Sequence, residues 1–181
     1  MLSENKKEYI KKIPKKITPQ RLKNIALYYL KRFETTEYKL RSVLKRRVDD
    51  YAYFDKDFDR NKAYCWIDEL VRDFVRLKYI DDERYAEIKI RNYLSSGKSP
   101  RYALNKMKEK GIDEGVATKL LEEQEYDPLE SAMKLARKKK IGPFCEDENL
   151  RRERHNKDMG VLIRAGFDYD VAIKVLETYE E

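Results

Sequence analysis

Two stretches of this chain repeat each other: GIDEGVATKLLE at residues 111–122 and GFDYDVAIKVLE at residues 166–177. The offset is constant at 55, and seven of the twelve positions are identical. In each stretch a glycine ends one helix with a positive φ, and the apolar residue after it packs back over that helix end. The aspartate that follows caps the next helix. Repetition of this kind is typical of an array of small helical repeats.

Helix-start signals stand before the repeated stretches. Ser99-Pro100 gives an N-cap followed by proline at the first helical position, and Asp81-Asp82 gives an earlier cap. Asp127-Pro128-Leu129-Glu130 resembles a capping box and begins the same plan again. In the middle repeat these signals predict three helices, at about 82–95, 99–110 and 113–124.

The first repeat diverges most from the other two. Thr18-Pro19 predicts its first helix, and the polar stretch 49–60 forms either extra helical turns or a loop. The extra length of the last repeat lies at 141–156, as a loop or an irregular helix start. The stripes predicted to face inward in these repeats are Leu22, Ala26, Tyr29 and Phe33; Leu40, Val43, Leu44 and Val48; Ala63, Ile67, Leu70, Phe74 and Leu77; and Leu129, Ala132, Met133 and Ala136.

These patterns predict an all-α protein built from tandem three-helix repeats. Each repeat is expected to bury only about a dozen apolar side chains, which is marginal for a core that must stand alone. Neighbouring repeats should therefore pack in line and form an elongated array, straight or curved. The predicted extents are a lysine-rich flexible tail at 1–17, an extended first repeat at 18–80, a second at 81–126, and a third with the insertion at 127–181.

Composition limits the classes of function. The chain has 41 Lys and Arg residues against 34 Asp and Glu, a net charge of +7. This balance is typical of a salt-bridged helical surface, and it also allows a basic face for nucleic acid or an acidic protein. The two cysteines are far apart, so they indicate neither a disulfide framework nor a metal motif. With no signal-peptide pattern and no apolar run of about 18 residues, we expect a cytoplasmic protein with no membrane contact.

Catalytic signals are weak throughout the sequence. The single histidine, His155, stands in a basic stretch, where a solvated side chain is expected rather than a general base. Phosphate-binding glycine motifs and zinc-ligand clusters do not occur. The pair Asp49-Asp50 is a weak magnesium signal, and Asp81-Asp82 is better explained as a helix cap. We therefore expect no enzyme, no metal and no cofactor.

Basic side chains form two groups that are candidates for partner binding. Arg101, Asn105 and Lys108 share one face of their predicted helix, and Arg84 and Arg91 lie on one side of the helix before it. Nearby tyrosines, at 79, 85, 93 and 102, suit stacking on single-stranded bases or serve as half-buried spacers. The candidate residues are Arg84, Arg91, Lys98, Arg101, Lys108, Arg137, Lys138, Lys139, Lys140, Arg151 and Arg152.

Motifs in residues 18–124 resemble the RecX family. The segment YIDDERYA at 79–86 is similar to that family's [LY]-[LI]-D-D-x-R-[FY]-A, and GKSPR at 97–101 is similar to its G-x-[GS]-x-R. The similarity continues at Lys110-Gly111-Ile112-Asp113 and in the first repeat at Ala26–Leu30, Leu40–Val48 and Trp66–Asp68. The family's tandem three-helix repeats agree with the repeat found above.

The resemblance implies a regulator of the RecA recombinase in recombination, DNA repair and the SOS response. Such proteins lie along the groove of the RecA–DNA filament and inhibit its ATPase, strand-exchange and co-protease activities. The expected partners are the RecA nucleoprotein filament and, directly, single- or double-stranded DNA; we expect a monomer. Two alternatives remain open: a helical DNA-binding protein that acts independently of RecA, and a general helical adaptor.

Overall fold

The computed structural model describes residues 14–178. Within that range the chain forms nine α-helices and one short 3-10 helix, and no strand. The predicted lysine-rich tail at 1–17 lies outside the described residues as far as residue 13. The helices are α1 (Pro19–Leu30), α2 (Glu37–Phe54), α3 (Arg60–Arg76), α4 (Asp82–Ser95), α5 (Pro100–Glu109), α6 (Glu114–Glu122), α7 (Pro128–Lys139), the 3-10 helix (Gly142–Phe144), α8 (Glu148–Arg164) and α9 (Tyr169–Glu177).

The helices follow the predicted three-helix plan, with α1–α3, α4–α6 and α7–α9 as successive groups. In the middle group, all three helices begin within one residue of the predicted starts and end within two of the predicted ends. The chain divides into two compact units: residues 14–34 with 39–79, and residues 35–38 with 80–178. We keep 18–80, 81–126 and 127–181 as the proposed extents of the repeats.

The first unit has a core from three helices. Its buried side chains recur every three or four residues along α1, α2 and α3, as in an amphipathic helix. Polar contacts between α2 and α3 flank the core: Arg41 pairs with Asp68, and the Tyr64 hydroxyl donates a hydrogen bond to Asp49. The buried set includes Leu22, Ala26, Leu40, Leu44, Val48, Tyr51, Ala63, Ile67, Val71 and Phe74.

The second unit contains two apolar clusters, one for each of its helix groups. Helices α4–α6 bury Tyr85, Ala86, Ile90, Ala103, Met107, Ile112, Ala117 and Leu120. Helices α7–α9 bury Ala132, Leu135, Ala136, Ile141, Leu162, Ala165, Phe167, Ala172, Val175 and Leu176. The repeated apolar positions of the sequence (112 and 167, 117 and 172, 120 and 175) thus occupy equivalent places in the two clusters.

The two repeated glycines have the predicted backbone. Gly111 has φ +76° and Gly166 has φ +91°, and each ends a helix whose following residue is buried. Each turn also lies against an N-terminal helix turn elsewhere in the same unit. A Cβ on Gly111 would overlap Tyr38, and a Cβ on Gly166 would overlap the Ser99 hydroxyl. Glycine is therefore required twice over, by backbone conformation and by close packing.

Hydrogen bonds repeat at those same turns. The Thr36 hydroxyl donates to the Lys110 carbonyl at 2.7 Å, and the Ser99 amide donates to the Ala165 carbonyl at 3.2 Å. In both cases a carbonyl beside the turn glycine, which the helix itself leaves unpaired, is satisfied by the residue that precedes the other helix. The repeat in the sequence therefore encodes a repeated junction as well as a repeated helix.

Several sequence predictions were wrong or open and are settled by the structure. Phe33, Leu77 and Leu129 were predicted to face inward but are exposed by 55%, 59% and 43%. Asp168 was predicted to cap α9, yet its side chain makes no capping hydrogen bond, whereas Asp113 accepts one from the Val116 amide. The stretch 49–60 extends α2 to Phe54 and then turns, and 141–156 forms the 3-10 helix and the start of α8.

Candidate partner-binding surface

Two capped helices position the basic side chains of the middle group. The Asp81 carboxylate accepts a hydrogen bond from the Arg84 amide at 3.1 Å, and the Ser99 hydroxyl accepts one from the Tyr102 amide at 3.1 Å. These caps fix where α4 and α5 begin and so fix the directions of their outer faces. Arg84, Arg91, Arg101 and Lys108 are exposed, and Lys98 is half-buried.

Packing places the turn of Lys98 against α7, the helix that ends in Arg137, Lys138 and Lys139. The turn that carries Lys98 lies directly on α7, because a Cβ on the preceding Gly97 would be 2.9 Å from the Ser131 carbonyl oxygen and 3.0 Å from the Leu135 amide nitrogen. Burial lowers the pKa of Lys98 from its usual 10.5, and the positive charges of Lys139 and Lys138 lower it further. Residues some 40 positions apart therefore contribute to one cationic surface, which we call the lysine cluster: Lys98, Lys138 and Lys139.

Helix α7 ends in a run of cations. Arg137, Lys138 and Lys139 occupy its last turn, where the negative end of the helix dipole favours positive charge. Lys140 caps the helix in the left-handed region, at φ +52°. All four side chains are exposed, and the Arg137 guanidinium lies 5.1 Å from the ring centre of Phe144.

Several of the eleven candidates already have partners within the protein. Arg91 pairs with Glu87 at 2.5 Å, and Arg152 pairs with Glu148 at 2.6 Å, each one helical turn apart. Arg84 and Arg151 also have interactions within the chain, and Arg151 is half-buried. An external anion would therefore have to compete with a nearby carboxylate for Arg91 and for Arg152.

A further group of candidates has no such match. Across residues 14–178, no carboxylate lies within ion-pair distance of Arg101, Lys108, Lys138 or Lys139. The positions of the carboxylates thus separate these four cations from Arg91 and Arg152, which are ion-paired. The unmatched cations lie on α5 and at the end of α7, both within the second unit.

Arg101 and Lys108 also line a groove, which we call the α5–α6 groove. Its volume is about 140 Å³, and Leu104, Ile112 and Ala117 form an apolar floor. Asn105 stands between the two cations on the α5 side, and Glu114 stands on the α6 side. The helical face of Arg101, Asn105 and Lys108 was predicted from sequence, but the groove beside it was not. The available sequence signal was Leu104, an apolar residue next to that face, and the structure shows that it is only half-buried.

The tyrosines near these cations pack mainly inside the molecule. Tyr85 is 7% exposed, and the rings of Tyr93 and Tyr102 meet edge to face with centres 5.4 Å apart. Burial raises the pKa of Tyr93, and Lys98 lies 4.8 Å from the ring centre of Tyr102. Only Tyr79 of the four is largely exposed, at 58%. The half-buried spacer interpretation therefore fits Tyr85, Tyr93 and Tyr102 better than base stacking does.

A metal site requires several ligand side chains close together, and a membrane-crossing helix requires a long apolar stretch. Within residues 14–178, no three His, Cys, Asp or Glu side chains are grouped so that they could hold a metal ion. In the same range no helix has both the length and the apolar character needed to cross a membrane. His155 lies exposed on α8, one turn from the Arg152–Glu148 pair.

Comparison with known proteins identifies the family. A regulatory protein RecX from Myxococcus xanthus is 37% identical over 177 residues, which cover 97% of this chain and 94% of that relative. The chain belongs to the RecX family. A second regulatory protein RecX, from Agrobacterium fabrum, is 33% identical over 154 residues and covers 85% of this chain and 80% of that relative. The family model described as RecX, second three-helix domain, matches residues 81–121.

The RecX fold is also found among solved structures. The crystal structure of RecX from Lactobacillus salivarius has a TM-score of 0.57 and 24% identity, and it covers 88% of this chain and 94% of that one. The matched three-helix domain of this RecX-family chain comprises α4–α6 and contains the first five candidate cations, from Arg84 to Lys108. The lysine cluster extends beyond that domain onto α7.

Proposed function

We propose that this protein binds the RecA filament assembled on DNA and inhibits its recombinase, ATPase and co-protease activities. Membership of a family of regulatory proteins supports a regulatory role. The observation that carries the binding surface is the set of cations on α5 and α7 that no carboxylate of the described chain matches. A nucleoprotein filament presents phosphates and acidic side chains, which are the complementary charges.

The lysine cluster is the strongest part of this surface. Burial lowers the pKa of Lys98 most, and the positive charges of Lys139 and Lys138 lower it further, so these charges repel that of Lys98. An anion that binds between Lys98, Lys138 and Lys139 relieves that repulsion and gains attraction from all three. A phosphate of the filament's DNA fits this requirement, because it carries a full negative charge and several acceptor oxygens.

The direct test is ATP hydrolysis by RecA on single-stranded DNA, measured with and without the full-length protein. We expect inhibition that grows with its concentration. In the double variant Lys138→Glu/Lys139→Glu, two attractions become repulsions, so the half-inhibitory concentration should rise about tenfold or more. Both positions are exposed, and thermal unfolding should change little.

The matched control is Lys119→Glu/Lys174→Glu. These lysines also stand exposed in the last turns of their helices, α6 and α9, so the reversal has a similar helix-dipole cost and the same change in net charge. Inhibition should be nearly unchanged in this control. Equal weakening in both double variants would mean that only net charge matters and that the lysine cluster does not touch the filament.

A different outcome would favour a different function. If the wild-type protein leaves RecA ATPase unaffected but binds bare single-stranded DNA with steep salt dependence, a DNA-binding protein independent of RecA is the better account. We further infer a regulator rather than a catalyst, acting as a monomer in the cytoplasm where a RecA filament forms. The exposed setting of His155 and the regulatory name of the relatives support the first of these inferences.

A further inference from the structure

The α5–α6 groove has an apolar floor, which the binding of a phosphate does not require. Its floor is aliphatic: Ile112 and Ala117 are 6% and 2% exposed, and Leu104 is half-buried beside them. Its volume of about 140 Å³ is close to that of an engineered apolar cavity, about 150 Å³, that binds benzene. The groove is therefore the right size for one aliphatic side chain or a small ring.

The rim adds a charge pattern to that shape. Arg101 and Lys108 stand at the two ends of the α5 wall, seven residues and thus two helical turns apart, with Asn105 between them. Neither cation has an ion-pair partner in residues 14–178, and both are exposed. Glu114 is the charged residue of the opposite wall. An occupant should consequently carry its acidic groups on the α5 side, before and after its apolar side chain.

Nucleic acid does not meet both requirements. Its phosphates suit the cations but gain nothing from an aliphatic floor, and its bases bind proteins mainly by stacking on exposed aromatic rings. None of the described residues that line the groove is aromatic. Tyr102, which lies on α5, is half-buried against Tyr93. A protein segment supplies an aliphatic side chain and flanking carboxylates together.

We propose that the α5–α6 groove binds an acidic segment of a protein partner through one aliphatic side chain of that segment. The inference deepens the proposed function and rests on it where the partner is taken to be the protein component of the filament. The two basic regions then bind different parts of the filament: the lysine cluster binds phosphate, and the α5–α6 groove binds protein.

The test uses charge-matched probes on the full-length protein. The first is the peptide acetyl-Glu-Asp-Leu-Asp-Glu-amide, the second has alanine in place of leucine, and the third is a thymidine pentanucleotide with the same number of negative charges. Binding is followed by NMR through the backbone amides of Ile112 and Ala117. We expect the leucine peptide to shift these amides and to bind about tenfold more tightly than the alanine peptide. The nucleotide should not shift the NMR signals of these amides.

Two variants locate the binding. Arg101→Glu/Lys108→Glu changes only exposed rim residues and should weaken the leucine peptide by about tenfold or more. Leu104→Gln makes the floor polar and should remove the preference for leucine over alanine; the rim variant serves where Leu104→Gln unfolds. Lys119→Glu/Lys174→Glu, which changes the same number of charges outside the groove, should bind the leucine peptide nearly as the wild type does.

Each result bears on one proposal. Equal binding of the two peptides, or amide shifts at the floor with the nucleotide alone, overturns the groove inference. Because no RecA is present, that failure is separate from the ATPase assay. A protein that inhibits RecA but ignores the leucine peptide keeps the proposed function and loses the groove. A protein that binds the leucine peptide but does not affect RecA keeps the groove and loses the filament as its partner.

Discussion

At the scale of the residue, a cation's neighbours decide what it can do. Arg91 and Arg152 have carboxylates one helical turn away, and their charge serves the helix that carries them. Arg101 and Lys108 are also cations on exposed helix faces, but no carboxylate of the described chain lies within ion-pair distance of them. Sequence composition cannot separate the two sets, whereas the positions of Glu87 and Glu148 four residues before their partners could have done so.

Lys98 offers a measurement of the lysine cluster in the free protein. Lys138→Glu/Lys139→Glu should raise the pKa of Lys98 from its lowered value, because two repulsions become attractions while burial stays the same. The control Lys119→Glu/Lys174→Glu should leave that pKa unchanged. NMR of the Lys98 side-chain amine during a pH titration gives the answer. An unchanged pKa in Lys138→Glu/Lys139→Glu would show that these lysines are not neighbours of Lys98.

The lowered pKa of Lys98 determines how this residue makes the free energy of unfolding depend on pH. Folding disfavours the charged form of Lys98, so the charged side chain weakens the folded state at neutral pH. Its contribution to the free energy of unfolding increases as the pH rises from the lowered folded pKa towards 10.5, and it is constant above and below that window. A bound anion should raise the pKa of Lys98 and reverse this cost.

Sequence periodicity assigned most inward positions correctly but failed at helix ends. Phe33 and Leu77 lie beyond the last residues of α1 and α3, so the helical spacing that placed them inward no longer applies. Leu129 stands in the first turn of α7, whereas Leu135, which the predicted stripe omitted, is 2% exposed. The proximity of Lys98 to Lys138 and Lys139 could not be predicted for another reason. It depends on how the Gly97 turn packs on α7, which no local sequence pattern encodes.

At the scale of the element, most helix boundaries that were predicted correctly were predicted from caps and turns. Thr18, Ser99 and Asp127 were recognised as N-caps before proline, and each accepts the hydrogen bond expected of it. These motifs are local, so a single sequence reveals them. Asp168 shows the limit of that reasoning, because its position matches that of Asp113 but its carboxylate does not turn to the helix.

The glycine junctions allow a paired test of the element scale. Gly166→Ala should lower the free energy of unfolding by about 2 kcal/mol or more, since alanine resists a φ of +91° and its Cβ would overlap Ser99. Gly160→Ala, inside α8, should instead stabilise by about 0.5–1 kcal/mol, because its Cβ meets only the flexible end of Arg164. Denaturant unfolding measures both. Equal effects of the two changes would contradict the junction described for Gly166.

At the scale of the whole molecule, charge and apolar contact have separate signatures. The net charge of +7 attracts a polyanion, and neutralising DNA phosphates releases condensed counterions, which gives the affinity a steep salt dependence. An aliphatic side chain in the α5–α6 groove contributes affinity that salt hardly affects. The two proposed interactions can therefore be separated within one binding measurement.

The affinity for the filament, measured across a series of salt concentrations, should change differently in two variants. Lys138→Glu/Lys139→Glu should flatten the plot of log affinity against log salt by about 1.4 units, at about 0.7 for each phosphate of single-stranded DNA that the variant no longer neutralises. Leu104→Gln should lower the affinity at every salt concentration and leave the slope as it is in the wild type. If Leu104→Gln changes the slope, the groove meets phosphate rather than protein. If Lys138→Glu/Lys139→Glu leaves the slope unchanged, the lysine cluster faces acidic side chains of the filament instead of its DNA.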